Sequence, residues 1–249
     1  MKIENKDFWE REDIIYSQDK TVADTSNYEA YLYEKTKEYF KKMNLSIKKA
    51  KIFGCGTGRE INGILKYLSI DSILATDISE NMIKKGNENI VAWNLQDKVF
   101  LEVADATKFK SKESSYELVT LMNCMLTYIK DKEDRYTIFK TANDILASEG
   151  VIIGVVHNQV GTPQKTFYFA LRRFFKPFLK DEPGNRITGF NGFKFGAYYF
   201  TKNDLSKHLL DSGFKNIEIK SLADYYKELN IEYNRFKGYN NLIFLATKS

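Results

Sequence analysis

Short apolar runs and longer amphipathic stretches alternate along most of the chain. Ile52 and Phe53 end one run that reads as a strand, and Ile61, Ile64, Leu65 and Leu68 then recur at helical spacing. The alternation repeats downstream. Ser72-Ile73-Leu74-Ala75-Thr76 reads as a second strand, a helix follows from about Ser79 to Leu95, and Val99 to Val103 form a third strand. Leu118 to Met122 form a fourth. From about Glu133 to Ala147 the pattern is helical, with Phe139, Ala142, Ile145 and Leu146 on one face and Gly150 as its stop. Val151 to Val156 is apolar throughout, as a central parallel strand covered on both faces must be. This order of elements predicts an α/β fold with a sheet wound on both sides.

The rhythm breaks between Gln159 and Tyr199, a stretch longer than a crossover needs. Phe167, Leu171, Phe174, Phe175 and Phe178 form an apolar stripe with Arg172, Arg173 and Lys176 off it, and Pro177 should disturb that helix near its end. Glu182-Pro183-Gly184-Asn185 is turn chemistry, and the region of Gly189, Gly192 and Gly196 reads as a loop. Regular pattern then resumes. Leu205, Leu209 and Leu210 make a helix face stopped by Gly213; Lys215 to Lys220 and Asn241 to Thr247 are the sixth and seventh strands. The charged linker Asp224 to Tyr239 carries no clear pattern. Ahead of the first strand, Asp24-Thr25-Ser26-Asn27 supplies helix-start residues for a helix with Tyr28, Tyr31, Leu32, Lys35 and Tyr39 in rhythm.

Glycine punctuation marks the chemistry. Gly54-Cys55-Gly56-Thr57-Gly58 joins the first strand to the first helix of this alternation. Glycine lets such a turn take positive φ and lets a ligand approach bare backbone, while unpaired N–H groups open the helix behind it. The spacing is G-x-G-x-G; a dinucleotide fingerprint would need glycine at Arg59, and no Lys-Ser/Thr pair follows as in a P-loop. The second strand ends at Asp77, where an acid can take two ribose hydroxyls.

With Thr76-Asp77-Ile78-Ser79 and Met82, Ala104-Asp105-Ala106, Tyr116-Glu117-Leu118-Val119 and Leu146-Ala147-Ser148-Glu149-Gly150, the glycine turn resembles the class I S-adenosylmethionine-dependent methyltransferases over roughly Ala50 to Thr247. The resemblance implies a Rossmann-like seven-stranded sheet, mostly parallel with the last strand antiparallel, with N-terminal helices and a helical insertion after the fifth strand. It also implies S-adenosylmethionine as cofactor, held by Gly54, Cys55, Gly56, Thr57 and Gly58 through backbone. Asp77 would hold the ribose, Asp105 and the N–H of Ala106 the adenine, with Ile78 and Met82 against its face, and Asn123 would reach the methionine end. One position departs: the acid usual two residues before the first glycine is Ile52 here.

Acceptor chemistry is sought past the fourth and fifth strands. His157 follows the fifth strand directly and is either a general base or a hydrogen-bonded structural histidine. Tyr128 either orients an acceptor or packs in the core; His208, on the Leu205/Leu209 face, reads as structural. Of the aromatics Trp9, Tyr16 and Tyr28, Tyr16 is taken as a substrate contact. Arg172, Arg173 and Arg186 are taken as anion-holding groups on a lid that the aromatic stripe packs down. Alternatives for that segment are a basic helix on a membrane surface or a dimer contact.

Bulk numbers narrow the class without changing it. At 249 residues, 43% hydrophobic and 29% charged, the chain is ordinary for one large domain with a real core, which the resemblance makes a single methyltransferase domain. Its parts are an N-terminal cap over residues 1–48, a cofactor core over 49–158, the lid over 159–199, and a helix with a strand pair over 200–249. A net charge of +5 is mild and favours anionic ligands without demanding nucleic acid; the partner expected is a small-molecule acceptor, anionic or sugar-like. Cys55 and Cys124 form no metal or disulfide pattern, so no metal is expected. No signal-peptide region or apolar span is present, so a cytoplasmic monomer or homodimer is expected. The fourth strand ends Met122-Asn123-Cys124-Met125, without the Pro-Pro-aromatic ending of base methyltransferases, and no nucleic-acid partner is expected. The activity expected is methyl transfer to oxygen or nitrogen of a small polar or anionic metabolite. The alternatives are a nucleic-acid or lipid-surface methyltransferase, and a cofactor-binding protein without turnover.

Overall fold

The computed structural model describes residues 3–20, 25–110, 115–190, 192–234 and 240–248. Three helices precede the sheet: α1 (Asn5–Trp9), α2 (Glu12–Asp19) and α3 (Asn27–Lys42). A capping box starts α3, with Ser26 and Glu29 each bonding the other's backbone; Asp24, read as part of that start, lies outside the described residues. Strand and helix then alternate through β1 (Lys49–Phe53), α4 (Arg59–Tyr67), β2 (Ser72–Asp77), α5 (Glu80–Ala92), β3 (Val99–Val103), β4 (Tyr116–Leu121), α6 (Lys132–Ile145) and β5 (Leu146–Val156). The insertion holds α7 (Pro163–Phe174), β6 (Asn185–Phe190) and β7 (Phe193–Tyr198). After it come α8 (Lys202–Asp211), β8 (Phe214–Ser221), α9 (Leu222–Glu228) and β9 (Leu242–Lys248).

Seven strands form one sheet in the order β3-β2-β1-β4-β5-β9-β8. Pairings from β3 through β5 are parallel, and β9 runs antiparallel to both β5 and β8. Alternate residues of each strand feed two cores. Ile52, Ile73, Leu118, Ile153 and Ile243 meet α3, α4, α5 and α9 on one face. Phe53, Val119, Ile152 and Phe244 meet α6 and α8 on the other. The strand order reverses between β1 and β4, and a crevice opens there beyond the carboxyl ends.

Several expectations are corrected. The helix expected to reach Ala147 ends at Ile145, and Leu146 already pairs with Tyr116, so Gly150 lies within β5 rather than acting as a helix stop. Leu210 does not belong to the buried face of α8; Leu205 and Leu209 do, and Leu210 is exposed. Part of the charged linker is α9, started by Ser221 Oγ accepting from Asp224 N, while 235–239, up to Tyr239, lie outside the described residues.

The insertion differs most. The glycine-bearing stretch read as a loop is the β6–β7 hairpin, registered from Asn185↔Tyr198 to Phe190↔Phe193. Phe195 of β7 packs with Phe8, Ile14, Ile15 and Met82, so the hairpin and the N-terminal helices form one cluster above the crevice. Backbone bonds join them too: Ile3 N donates to Lys194 O at 3.0 Å, and Asn5 Nδ2 donates to the carbonyls of Tyr128 and Gly196. The aromatic stripe of α7 does not pack down as a lid. Phe167, Phe174 and Phe178 are 69%, 78% and 83% exposed; Phe169, which is off the stripe, is the side chain of α7 that is buried.

Glu10 fixes the N-terminal helices to the sheet. Its carboxylate accepts from Glu80 N at 2.9 Å and Asn81 N at 3.1 Å, the open first turn of α5, where negative charge is favoured. Glu10→Ala should lower the unfolding free energy by about 1–2 kcal/mol. It should also speed proteolysis between residues 3 and 20 before the sheet is cut. Limited proteolysis beside chemical denaturation checks both, and equal cutting rates in wild type and variant would remove this role.

Candidate functional site

The crevice encloses about 330 Å³, the scale of a small-molecule site. Its floor is the glycine turn. Gly54, Gly56 and Gly58 all have positive φ, at 70°, 53° and 92°. A Cβ on Gly54 would stand 2.4 Å from Met125 Cγ, so this glycine admits Met125. A Cβ on Gly56 would meet only Met82 Sδ, at 3.9 Å, leaving the backbone of Gly56 bare to the crevice. The turn hangs from the end of β2: Gly54 N and Cys55 N donate to Thr76 O at 2.7 and 3.0 Å.

Asp77 completes that attachment. Oδ2 accepts from Gly56 N at 2.9 Å and Oδ1 from Ser79 N at 3.0 Å. Burial raises its pKa, against the pull of these N–H groups. Asp105 lies at the end of the next strand, where Thr107 N and Oγ1 donate to Oδ1 at 2.9 and 2.7 Å. Burial acts to raise its pKa, but Thr107 and Lys108 outweigh it and hold the carboxyl below the usual range.

Gly54, Cys55, Gly56, Thr57, Asp77, Ile78, Met82, Asp105, Ala106, Asn123, Tyr128 and His157 all line the crevice. Gly58 stands one step back as the left-handed residue before α4. The substrate-contact candidates lie elsewhere. Tyr16 is 65% exposed with Lys20 Nζ over its ring. Arg172 donates to Asp181 Oδ1 and to the carbonyls of Glu182 and Pro183, and Arg173 donates to Gln159 Oε1. Arg186 lies against the rings of Tyr168 and Tyr199. The insertion uses its arginines to hold itself together, and none of the three is on the crevice wall.

Two charged groups that the sequence pattern did not single out stand at the glycine turn. Arg59, the first residue of α4, lines the crevice and makes a two-pronged pair with Glu29 of α3, Nη1–Oε1 2.6 Å and Nη2–Oε2 2.9 Å. Its Nη1 also donates to Asn123 Oδ1 at 2.8 Å. Next to it, Glu60 turns inward and accepts from Thr120 Oγ1 at 2.7 Å; burial pushes its carboxyl up to about 8. Thr120 is the register partner of Ile52, so this carboxyl lies in the core beside Ile52 and off the crevice wall. The capping spacing Ser26-x-x-Glu29 is the one signal that marked Glu29, and it pointed to a helix start rather than to an ion pair.

At the opposite end, Asn123 and Cys124 both adopt left-handed backbone, φ 53° and 57°, an uncommon pair for residues with side chains. This turn leads into a short 3-10 helix, Met125–Tyr128, which brings Tyr128 under the roof against Trp9 and Phe195. His157 follows β5. Its backbone N donates to Thr127 Oγ1, its Nδ1 lies 2.9 Å from Asn241 Oδ1, and its ring stacks on Tyr199. Burial lowers its pKa, Asn241 opposes, and Lys165 lowers it further. Lys165 of α7, partly buried above Tyr199, is itself lowered by burial and by Arg186. His208 is structural as expected, stacked on Tyr136 with Nδ1 at 2.7 Å from Asp204 O. Among the described residues, no group of three or more His, Cys, Asp or Glu side chains is arranged to hold a metal ion.

Residues 52–150 match the model of the methyltransferase domain family. No curated protein matches the chain in sequence. Solved structures share the fold at low identity. An S-adenosylmethionine-dependent methyltransferase from Methanosarcina mazei is 18% identical with TM-score 0.62, over 84% of this chain and 96% of that one. Phosphoethanolamine N-methyltransferase 2 of Haemonchus contortus, in complex with S-adenosyl-L-methionine, is 15% identical with TM-score 0.59, over 98% and 59%. A 1,6-didemethyltoxoflavin-N1-methyltransferase from Burkholderia thailandensis, holding its substrate and S-adenosylhomocysteine, is 14% identical with TM-score 0.58, over 86% and 76%. The family match covers the glycine turn and its neighbouring strands on a sheet of this order, so residues 52–150 carry a methyltransferase domain.

Proposed function

We propose that the crevice transfers a methyl group to oxygen or nitrogen of a small polar or anionic molecule, with His157 as the base. The bare backbone at Gly56 and the carboxylate fixed beneath it fit S-adenosylmethionine. Asp77 would hold the ribose hydroxyls, Asp105 and Ala106 N–H the adenine, and Arg59 and Asn123 the amino-acid end. The bound cofactor supplies an electrophilic methyl group on a sulfonium, so the protein's share is alignment, exclusion of water and proton removal. The aromatic roof of Phe8, Trp9, Tyr128 and Phe195 serves the second.

The observation that carries the base assignment is the contact between His157 Nδ1 and Asn241 Oδ1. An amide oxygen there puts the ring proton on Nδ1 and makes Nε2 the basic nitrogen. A pKa lowered by burial keeps that form populated at neutral pH. An acceptor hydroxyl or ammonium can then lose its proton to Nε2. Lys6, on the crevice wall, supports an anionic acceptor and takes the place first given to the insertion's arginines, with Lys165 behind the wall acting on His157 through its charge. Two proteins of the same fold, the phosphoethanolamine N-methyltransferase and the 1,6-didemethyltoxoflavin-N1-methyltransferase, agree with an acceptor of that size.

Asp77→Asn should weaken S-adenosylhomocysteine binding about ten- to a hundred-fold, the worth of about 1.5–3 kcal/mol for hydrogen bonds to a charged group. It should also lower the melting temperature, because the same carboxylate holds Gly56 and Ser79. Calorimetric titration at a temperature well below melting separates the two effects. Unchanged affinity removes the ribose assignment.

Methyl incorporation from labelled cofactor into carboxylated, phosphorylated and neutral amines and alcohols tests the acceptor class; neutral compounds turned over faster than anionic ones would overturn it. With an acceptor in hand, turnover should fall as pH drops through a value below about 6.5, since a lowered pKa moves the protonated form to more acidic solution. His157→Ala should flatten that limb and cost about a hundred-fold or more. A variant within a few-fold of wild type with the same limb would return His157 to a structural role.

A further inference from the structure

The insertion carries an apolar face that the fold does not use. Along α7, Phe167, Leu171 and Phe174 recur at i, i+4 and i+7, which puts them on one side of the helix. The 3-10 turn that follows, Lys176–Phe178, continues the row with Phe178. All four are exposed, Phe178 the most at 83%. The inner side is the reverse of an ordinary surface helix. It buries Phe169 but also turns in Lys165 and Arg172, whose guanidinium bonds Asp181 and two carbonyls of the following loop. The helix is thus pinned by its polar side with its aromatic side outward.

Charge is concentrated at the same place. Between 163 and 190 there are six basic and two acidic residues, which accounts for most of the chain's net charge of +5. Both acids are engaged, Asp181 with Arg172 and Glu182 with Arg135. Arg173, Lys176 and Lys180 are exposed and stand among the phenylalanines through the last turn and the 3-10 segment, Arg173 with one guanidinium nitrogen held by Gln159 Oε1. The surface is a row of exposed aromatic side chains among cations.

We infer that α7 and its 3-10 extension form a docking surface for anionic lipid membranes, lying in the plane of the interface with Phe167, Leu171, Phe174 and Phe178 among the acyl chains and Arg173, Lys176 and Lys180 at the headgroups. Isolated aromatic side chains flanked by cations suit that boundary, where apolar burial and attraction to anionic headgroups add. No helix of the described residues is long and apolar enough to cross a bilayer, so contact would be at the surface only. The inference stands apart from the acceptor reading, because none of these side chains lines the crevice.

Sedimentation with vesicles of phosphatidylcholine, with and without phosphatidylglycerol, tests it on the whole chain. Wild type should bind the anionic vesicles. Phe174→Glu/Phe178→Glu should bind at least about tenfold more weakly while keeping its affinity for S-adenosylhomocysteine and its melting temperature. Arg173→Gln/Lys176→Gln/Lys180→Gln should also bind more weakly, with less salt dependence than wild type. Three results overturn the inference: no vesicle binding by wild type; equal binding by wild type and the phenylalanine variant, which would make it general charge attraction; or a wild-type dimer in analytical ultracentrifugation that the phenylalanine variant dissolves without any vesicle binding, which would make the face a contact between two copies.

Discussion

The two hydrogen bonds to Asp77 hold the site together. A glycine turn with three left-handed residues has no regular structure of its own to keep it in place, and every glycine in it adds chain entropy to be lost on folding. The turn is fixed because Thr76 O accepts two of its N–H groups and Asp77 accepts a third, while the other oxygen of Asp77 holds Ser79 at the start of α5. One carboxylate therefore sets the distance between the phosphate-free, purely backbone floor and the helix beside it. Glu10 then reaches the same helix from above and brings the roof into register with that floor. Loss of this corner would not merely remove a ligand contact; it would uncouple floor, wall and roof.

The sheet and its floor were legible because they obey local rules. Apolar runs of strand length, 3.6-residue stripes and a glycine turn followed by a strand-terminal acid each report their own neighbourhood, and the five parallel strands follow from them. The roof was not legible, because it is made by contacts between segments far apart in the chain. Nothing near Gly189 and Gly196 announces a strand, since the partner that orders β7 includes Ile3, Asn5 and Phe8. Arg59 and Glu29 were missed for the same reason: each looks like an ordinary helix residue until α3 is laid across α4. The stripe of α7 was read with the right periodicity and the wrong direction. Periodicity locates an apolar face but does not say what it faces, and here the polar groups won the inside through Arg172 and its carbonyl partners.

The departure at Ile52 has a buried carboxyl as its neighbour. Ile52 contributes to the core at a position where an acid would need a ligand to balance it. Glu60, the second residue of α4, reaches the neighbouring Thr120 across that core. A carboxyl held near neutral pH by burial is cheap to keep because it is protonated when nothing pairs with it. The chain thereby avoids a permanent buried charge behind the turn.

Synthesis runs from β5 to β8 and only then to β9, yet in the finished sheet β9 lies between them. A ribosome delivering this chain exposes an open apolar edge, Val151 to Val156, through the whole time that the insertion, α8, β8 and α9 are being made. An unpaired edge of that kind is a template for wrong pairing. β8 is the nearest strand available, and it must wait one strand's width away until Leu242 to Lys248 arrive to fill the gap. The nascent protein thus passes through a stage in which the parallel strands are all made while the far edge of β5 still lacks its partner.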